Sequence, residues 1–190
     1  MKEVFRVLKS GGEMYFSDVY SDRRITKEAL ENELLFGECI SGALYINDFI
    51  TLCKKTGFHD PRELEKRQID IYSRSSEMRL LRKLLGDTKF YSITYRLFKL
   101  ELEPNCEDYG QYAIYKGTIE STEWAYLLDN HHKFEKNKPK LVCGNTADML
   151  SNTWLKNHFE VFGEKKVHFG VFPCDSTVEE EKAPMKGGCC

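Results

Sequence analysis

Glu3-Val4-Phe5-Arg6-Val7-Leu8-Lys9-Ser10-Gly11-Gly12-Glu13-Met14-Tyr15-Phe16-Ser17-Asp18-Val19-Tyr20 is the stretch whose reading decides the fold. It reads as a helix end, a Gly-Gly turn and a strand over residues 13–19 that is dense in Met, Tyr, Phe and Val. Working outward, Thr26 opens a helix by capping Lys27-Glu28-Ala29-Leu30, and Leu30, Leu34 and Leu35 recur at helical spacing towards Gly37. A second helix is expected from Asn47 to Lys55, with Phe49, Ile50 and Cys53 on one face and Thr56-Gly57 as its C-cap. Gln68 to Ser73 alternates as a half-buried strand, and a helix follows from Glu77 to Leu85. The clearest strand spans residues 90–100, where Ile93, Tyr95 and Leu97 point one way and Thr94 and Arg96 the other.

Residues 101–110 are acidic and turn-rich around Pro104 and Gly110, which marks a boundary. Beyond it, strands are expected at Gln111 to Ile119, Glu123 to Leu128 and Val167 to Phe172. A helix from Thr146 to His158, capped by Asn145, carries Met149, Leu150, Trp154 and Leu155 on its apolar face. The tail from Asp175 is charged, contains Pro184 and ends Gly187-Gly188-Cys189-Cys190, a composition expected to be disordered.

The 190 residues allow one domain or two small ones. A net charge of −2 with no basic stripe argues against a nucleic-acid binder, whose affinity rests on a cationic face. No apolar run approaches the roughly 18 to 20 residues that cross a bilayer, and Lys2, Glu3, Arg6 and Lys9 interrupt any signal-peptide core. A cytoplasmic location is the expectation. The seven cysteines are odd in number and lack both a disulfide-framework spacing and a Cys-x-x-Cys pair, so free thiols are expected and a zinc ribbon is not.

Two of those cysteines stand in distinctive surroundings: Leu34-Leu35-Phe36-Gly37-Glu38-Cys39-Ile40-Ser41-Gly42-Ala43-Leu44-Tyr45 and Glu103-Pro104-Asn105-Cys106-Glu107-Asp108-Tyr109-Gly110. With Tyr91-Ser92-Ile93-Thr94-Tyr95-Arg96-Leu97-Phe98-Lys99 and the opening stretch, they resemble the C-terminal half of arsenite methyltransferases, which depend on S-adenosylmethionine. The resemblance implies an α/β to α+β fold. Residues 1–103 would be the last strands and helices of a class I methyltransferase Rossmann-like sheet, with strand 90–100 antiparallel beside strand 13–19. A small mixed α+β arsenite-binding domain would occupy 104–173 and a flexible Cys-terminated tail 174–190. It further implies that Cys39 and Cys106 bind trivalent arsenic, with Tyr45 close enough to line the pocket. No Gly-x-Gly-x-Gly loop occurs in the chain, so S-adenosylmethionine is expected to need the rest of a complete enzyme.

Trivalent arsenic is soft and prefers thiolate sulfur. In a three-sulfur pyramid its lone pair is exposed as a nucleophile, so alignment with a methyl donor could lower the barrier without a general base. By resemblance, thioredoxin or glutathione would restore oxidised thiols, and a complementing N-terminal half would dock on the free edge of strand 13–19.

Blander readings stand beside these. A free cysteine usually acts as a small buried hydrophobe, and Cys53 and Cys143 read as core. Cys106, set among acids that would raise its pKa, reads as an exposed loop residue, and Cys174 is undecided. Tyr15, Phe16, Tyr20 and Phe36 read as core aromatics. His59, His158 and His168 imply no partnered carboxylate. The terminal Cys189-Cys190 resembles a doubly prenylated end, but no phosphate loop accompanies it; capture and relay of arsenicals is its other reading. A noncatalytic thiol module and a different class I small-molecule methyltransferase remain open alternatives.

Overall fold

The computed structural model describes residues 1–37, 40–71, 76, 79 and 82–174. Helix α1 (Lys2–Val7) ends at the Gly-Gly turn and strand β1 (Glu13–Ser21) follows, as the opening stretch dictates. Strand β4 (Phe90–Phe98) pairs antiparallel with β1 through nine consecutive residues, from Glu13 opposite Phe98 to Ser21 opposite Phe90. A cross-strand hydrogen bond of 2.7 Å between the Ser17 and Thr94 hydroxyls reinforces this register. Ile93, Tyr95 and Leu97 are all buried on one side, as their alternation requires.

Strand β2 (Leu44–Tyr45) and strand β3 (Arg62–Ile69) complete a sheet of order β2-β1-β4-β3. Because β2 meets β1 only at Tyr20 and Ser21, the edge of residues 13–19 has no strand partner among the described residues. Strand β3 begins six residues before the expected Gln68; residues 72–73 of that expectation lie outside the described residues. Its charged sequence, Arg-Glu-Leu-Glu-Lys-Arg-Gln-Ile, hides the alternation because an edge strand carries charge on largely solvated faces, and a register shift between Glu63 and Glu65 breaks the period.

The helix expected beyond Thr26 is two short ones, α2 (Lys27–Leu30) and α3 (Glu33–Gly37). Thr26 caps the first, and the Asn32 side chain accepts from the Leu35 amide at 3.1 Å to start the second. Helix α4 (Ile46–Thr56) ends at Gly57, whose φ of 114° suits glycine and where a Cβ would meet the Phe5 ring at 2.5 Å. It buries Phe49 and Cys53 against Tyr20, Phe58, Ile93, Tyr95 and Leu97. Of the helix expected over 77–85, the described part is α5 (Arg82–Leu85). Among the aromatics read as core, Tyr20 is buried while Tyr15 and Phe36 are exposed.

Residues 107–171 build smaller sheets. Strands β5 (Glu107–Asp108) and β11 (Gly170–Val171) form a two-stranded ribbon. Strand β6 (Gln111–Tyr115) lies between β9 (Pro139–Val142) and β10 (Phe159–Phe162), while β7 (Ala125–Leu127) pairs with β8 (Lys133–Glu135). Helix α6 (Gly144–Asn152) packs Met149 and Leu150 into a core with Ala113, Tyr115, Phe134 and Leu155. It stops at Thr153, whose hydroxyl caps a separate 3-10 turn (Trp154–Asn157), so the single helix expected to His158 is broken and Trp154 is partly exposed. Arg96 does point away from Ile93, Tyr95 and Leu97, yet it is buried, because residues 126–128 cover that face. Its guanidinium binds both Glu13 carboxylate oxygens at 2.5 and 3.0 Å, the Tyr126 hydroxyl at 2.8 Å and the Leu128 carbonyl at 3.1 Å.

Candidate thiol site

Backbone pairing brings Cys106 and Cys174 together. Cys106 immediately precedes β5 and Cys174 lies three residues past β11; the Phe172 amide donates to the Cys106 carbonyl at 2.8 Å, extending the ribbon to the cysteine itself. Cys143 arrives from β9, at the N-cap of α6, where its sulfur accepts from the Thr146 amide at 3.5 Å. The expected cap, Asn145, does other work. Its side-chain oxygen accepts from the Glu103 amide at 2.9 Å, and its amide group donates to the Glu103 carbonyl at 2.9 Å and to Asp60 at 3.1 Å. One buried side chain thereby fastens the loop before Cys106 to the start of α6.

The sulfurs of Cys106, Cys143 and Cys174 all lie within 4.8 Å of one another. Cys106 and Cys174 are half-buried and line a cavity of about 270 Å³, together with Asp60, Arg62, Glu63, Asp129 and His132. Cys143 is buried behind them. Arg62, itself only 7% exposed, places Nη2 2.7 Å from Asp60, 3.1 Å from the Thr146 hydroxyl and 3.9 Å from the Cys143 sulfur, and Nη1 2.9 Å from Asp129. Asp129 also contacts His132 Nδ1 at 2.8 Å.

The electrostatics divide the three thiols. Hydrogen bonds from Cys106 and Cys174, with help from Thr146 and the Arg62 charge, hold Cys143 well below the usual thiol range despite its burial. Cys106 is pushed up to about 12, chiefly by its hydrogen bond to Cys143 and further by burial, and Cys174 is raised by its hydrogen bonds to the other two. Of the three sulfurs, negative charge is therefore favoured most on Cys143, which faces the Arg62 guanidinium. Burial alone would raise the Asp129 pKa, but the His132 hydrogen bond and the His132 and Arg62 charges outweigh it and lower that pKa.

Sequence reasoning singled out Cys106 and attributed its raised pKa to neighbouring acids; the cause here is the adjacent thiols. It missed Cys143, read as core, and placed Cys174 at the head of the tail. A signal for Cys143 was present: a cysteine directly before Gly144-Asn145-Thr146 at a helix start puts its sulfur where a thiolate is favoured. Cys39 and the tail lie outside the described residues. Tyr45 is half-buried, its hydroxyl accepting from the Asn47 side-chain Nδ2 at 2.6 Å and its ring 5.7 Å from the Arg24 guanidinium. His168, expected to lack a carboxylate partner, pairs with Glu107 at 2.9 Å.

The fold finds its match in a methyltransferase described as acting on arsenic(III) with S-adenosylmethionine. A crystal structure of CrArsM from Chlamydomonas reinhardtii, described as an arsenic(III) S-adenosylmethionine methyltransferase, superposes with a TM-score of 0.83 at 52% identity, covering 90% of this chain and 56% of that one. The chain is related to the arsenite methyltransferases along most of its length: it is 50% identical over 173 residues to that of Aquipseudomonas alcaligenes, covering 90% of this chain, and 36% identical over 160 residues to that of Rattus norvegicus. It spans about half the length of the curated relatives it matches, 49% and 41% respectively, which agrees with the expectation of half such an enzyme. No protein-family model matches.

The family depends on S-adenosylmethionine, and this chain covers about half of the relatives' length. The Gly11-Gly12 turn is occupied by protein: a Cβ at Gly11 would collide with the Asn152 carbonyl, and one at Gly12 would lie 2.8 Å from the Lys9 carbonyl. Among the described residues no helix is long and apolar enough to cross a membrane.

Proposed function

We propose that the chain binds trivalent arsenic through cysteine thiolates and supplies this substrate-holding part to an arsenite methyltransferase, with methyl transfer from S-adenosylmethionine belonging to the complete protein. The observation that carries the reading is Cys106 itself. In a chain related to arsenite methyltransferases, it stands half-buried in a cavity wall within reach of two further thiols. Cys39 and Cys106 would form a two-thiolate clamp, with Tyr45 lining the pocket. The division into 1–103, 104–173 and a tail is part of this reading; separate cores, two formed by residues up to Leu97 and a third by Phe98 onward, support a boundary in that neighbourhood. Thioredoxin or glutathione as reductant, a cytoplasmic location and a complementing half docking along the unpaired edge of β1 complete the proposal.

Chemically, this chain's residues would hold and dehydrate the metalloid. Each thiol that displaces hydroxide from arsenic forms one As–S bond and releases one water, with no electron transfer. The second reading, a noncatalytic thiol module, is favoured by a sequence in which no Gly-x-Gly-x-Gly loop occurs.

A titration of the reduced chain with phenylarsine oxide, a trivalent arsenical with two exchangeable positions, tests the clamp. Binding weakened in both Cys39→Ser and Cys106→Ser, and kept without Cys189 and Cys190, is expected. Affinity unchanged by both substitutions, or lost with the tail, would overturn it.

A further inference from the structure

Cys143 and Cys174 have no part in the two-thiol clamp, yet their sulfurs crowd around that of Cys106. Burial of three hydrophobic-like thiols would leave them dispersed in apolar surroundings, as Cys53 is among Tyr20, Phe49 and Tyr95. Here they converge at the junction of a ribbon, a helix start and a buried arginine, and two of them open onto a cavity. We propose that Cys106, Cys143 and Cys174 form a three-thiolate site for inorganic trivalent arsenic, complete without Cys39. For its choice of ligand the site rests on the arsenic reading above.

Coordination number favours a trivalent pnictogen over zinc. Among the described residues the group contains three thiols and no histidine or carboxylate as a fourth ligand, whereas structural zinc takes four protein ligands and a three-ligand zinc site must keep a water in the fourth position. Arsenic bound by three sulfurs in a pyramid is saturated, and its lone pair occupies the remaining direction. The cavity wall also selects. Asp60, Glu63 and Asp129 outnumber Arg62 on it, and Arg62 is already paired with two of them, so the wall offers an anion no free arginine while uncharged arsenous acid needs none. Arg62 sits 3.9 Å from the Cys143 sulfur, a cation placed to balance charge on that sulfur as the first As–S bond forms.

The reaction balances without an oxidant. As(OH)3 and three Cys–SH give As(S–Cys)3 and three waters: three As–O and three S–H bonds break, three As–S and three O–H bonds form. Where Cys143 reacts as thiolate, the solvent supplies the proton that its departing hydroxide takes up. Arsenic stays trivalent throughout.

The test combines affinity with a count of sulfur neighbours. The reduced full chain would be titrated with sodium arsenite and the complex examined by X-ray absorption at the arsenic edge. Wild type and Cys39→Ser are expected to bind one arsenic with three sulfur neighbours, and an equal concentration of zinc should not displace it. Cys174→Ser, at a half-buried position near the end of the described chain, should reduce the shell to two sulfurs and weaken binding roughly a hundredfold through loss of one tethered ligand. Cys143→Ser should act alike, with circular dichroism verifying that each variant folds. A three-sulfur shell that persists in both variants, disappears in Cys39→Ser or yields to zinc would overturn the site. Failure here with phenylarsine oxide still weakened in Cys39→Ser would leave the two-thiol clamp standing; the reverse pattern would leave the three-thiol site standing without it.

Discussion

Cys53 and Cys143 are both fully buried, and they behave in opposite ways. Around Cys53, on α4, the neighbours are aromatic and aliphatic, and desolvation pushes its thiol up to about 12. Around Cys143 the neighbours are two thiols, a threonine and Arg62, and its pKa falls. Burial therefore does not decide whether a cysteine is packing material or chemistry. What decides is whether the surrounding side chains can stabilise negative sulfur, and in this protein only the polar region assembled by Asn145 and Arg62 does so among the two.

The most damaging way to break the contrast is to remove the cation. Arg62→Met strands Asp60 and Asp129 without their buried partner, so urea denaturation should show a loss of about 3–5 kcal/mol. A smaller effect would mean that water reaches the pair. Acid sharpens the same point. Asp129 has a folded-state pKa below its ordinary 3.8, so its contribution is present above that value and lost as pH falls through the folded one. Stability should decline between pH 4 and 2 with a slope of up to about 1.4 kcal/mol per pH unit. Asp129→Asn should flatten that limb of the curve while lowering stability at neutral pH.

Asn145→Ala tests whether the loop before Cys106 is positioned or merely adjacent. It removes the bonds to Glu103 and Asp60 and should cost about 2 kcal/mol of stability. Phenylarsine oxide should also dissociate faster, read by stopped-flow competition with a dithiol. An unchanged off-rate would separate the loop from the site. The smallest effect is expected from the apolar cysteine: Cys53→Ala should lower stability by about 1 kcal/mol in thermal unfolding and leave arsenical affinity unaltered.

The two regions also differed in how much the sequence disclosed. The β1–β4 pair was legible because β1 is dense in Met, Tyr, Phe and Val and Ile93, Tyr95 and Leu97 alternate along β4, and α4 because its apolar face and Gly57 cap agree. Strand β3 was misplaced, since an edge strand with solvated faces carries charge where the pattern calls for apolar residues. In the smaller region the strands are two to five residues long, too short for periodicity to register, and β8, β9 and β10 went unread. Cys106 was legible through its family surroundings. Cys143 and Cys174 lie 37 and 68 residues further along the chain, and only the β5–β11 ribbon and the Asn145 clasp bring them to it.

The most direct test of arsenic binding through chosen thiols is cysteine-by-cysteine protection from alkylation. Reduced chain, with and without one equivalent of phenylarsine oxide, would be treated with iodoacetamide, digested and read by mass spectrometry. Protection of Cys106 together with at least one other cysteine of the chain's body, with Cys53 indifferent to the arsenical, is the result predicted. Protection confined to Cys189 and Cys190, with Cys106 labelled equally in both samples, would contradict the account.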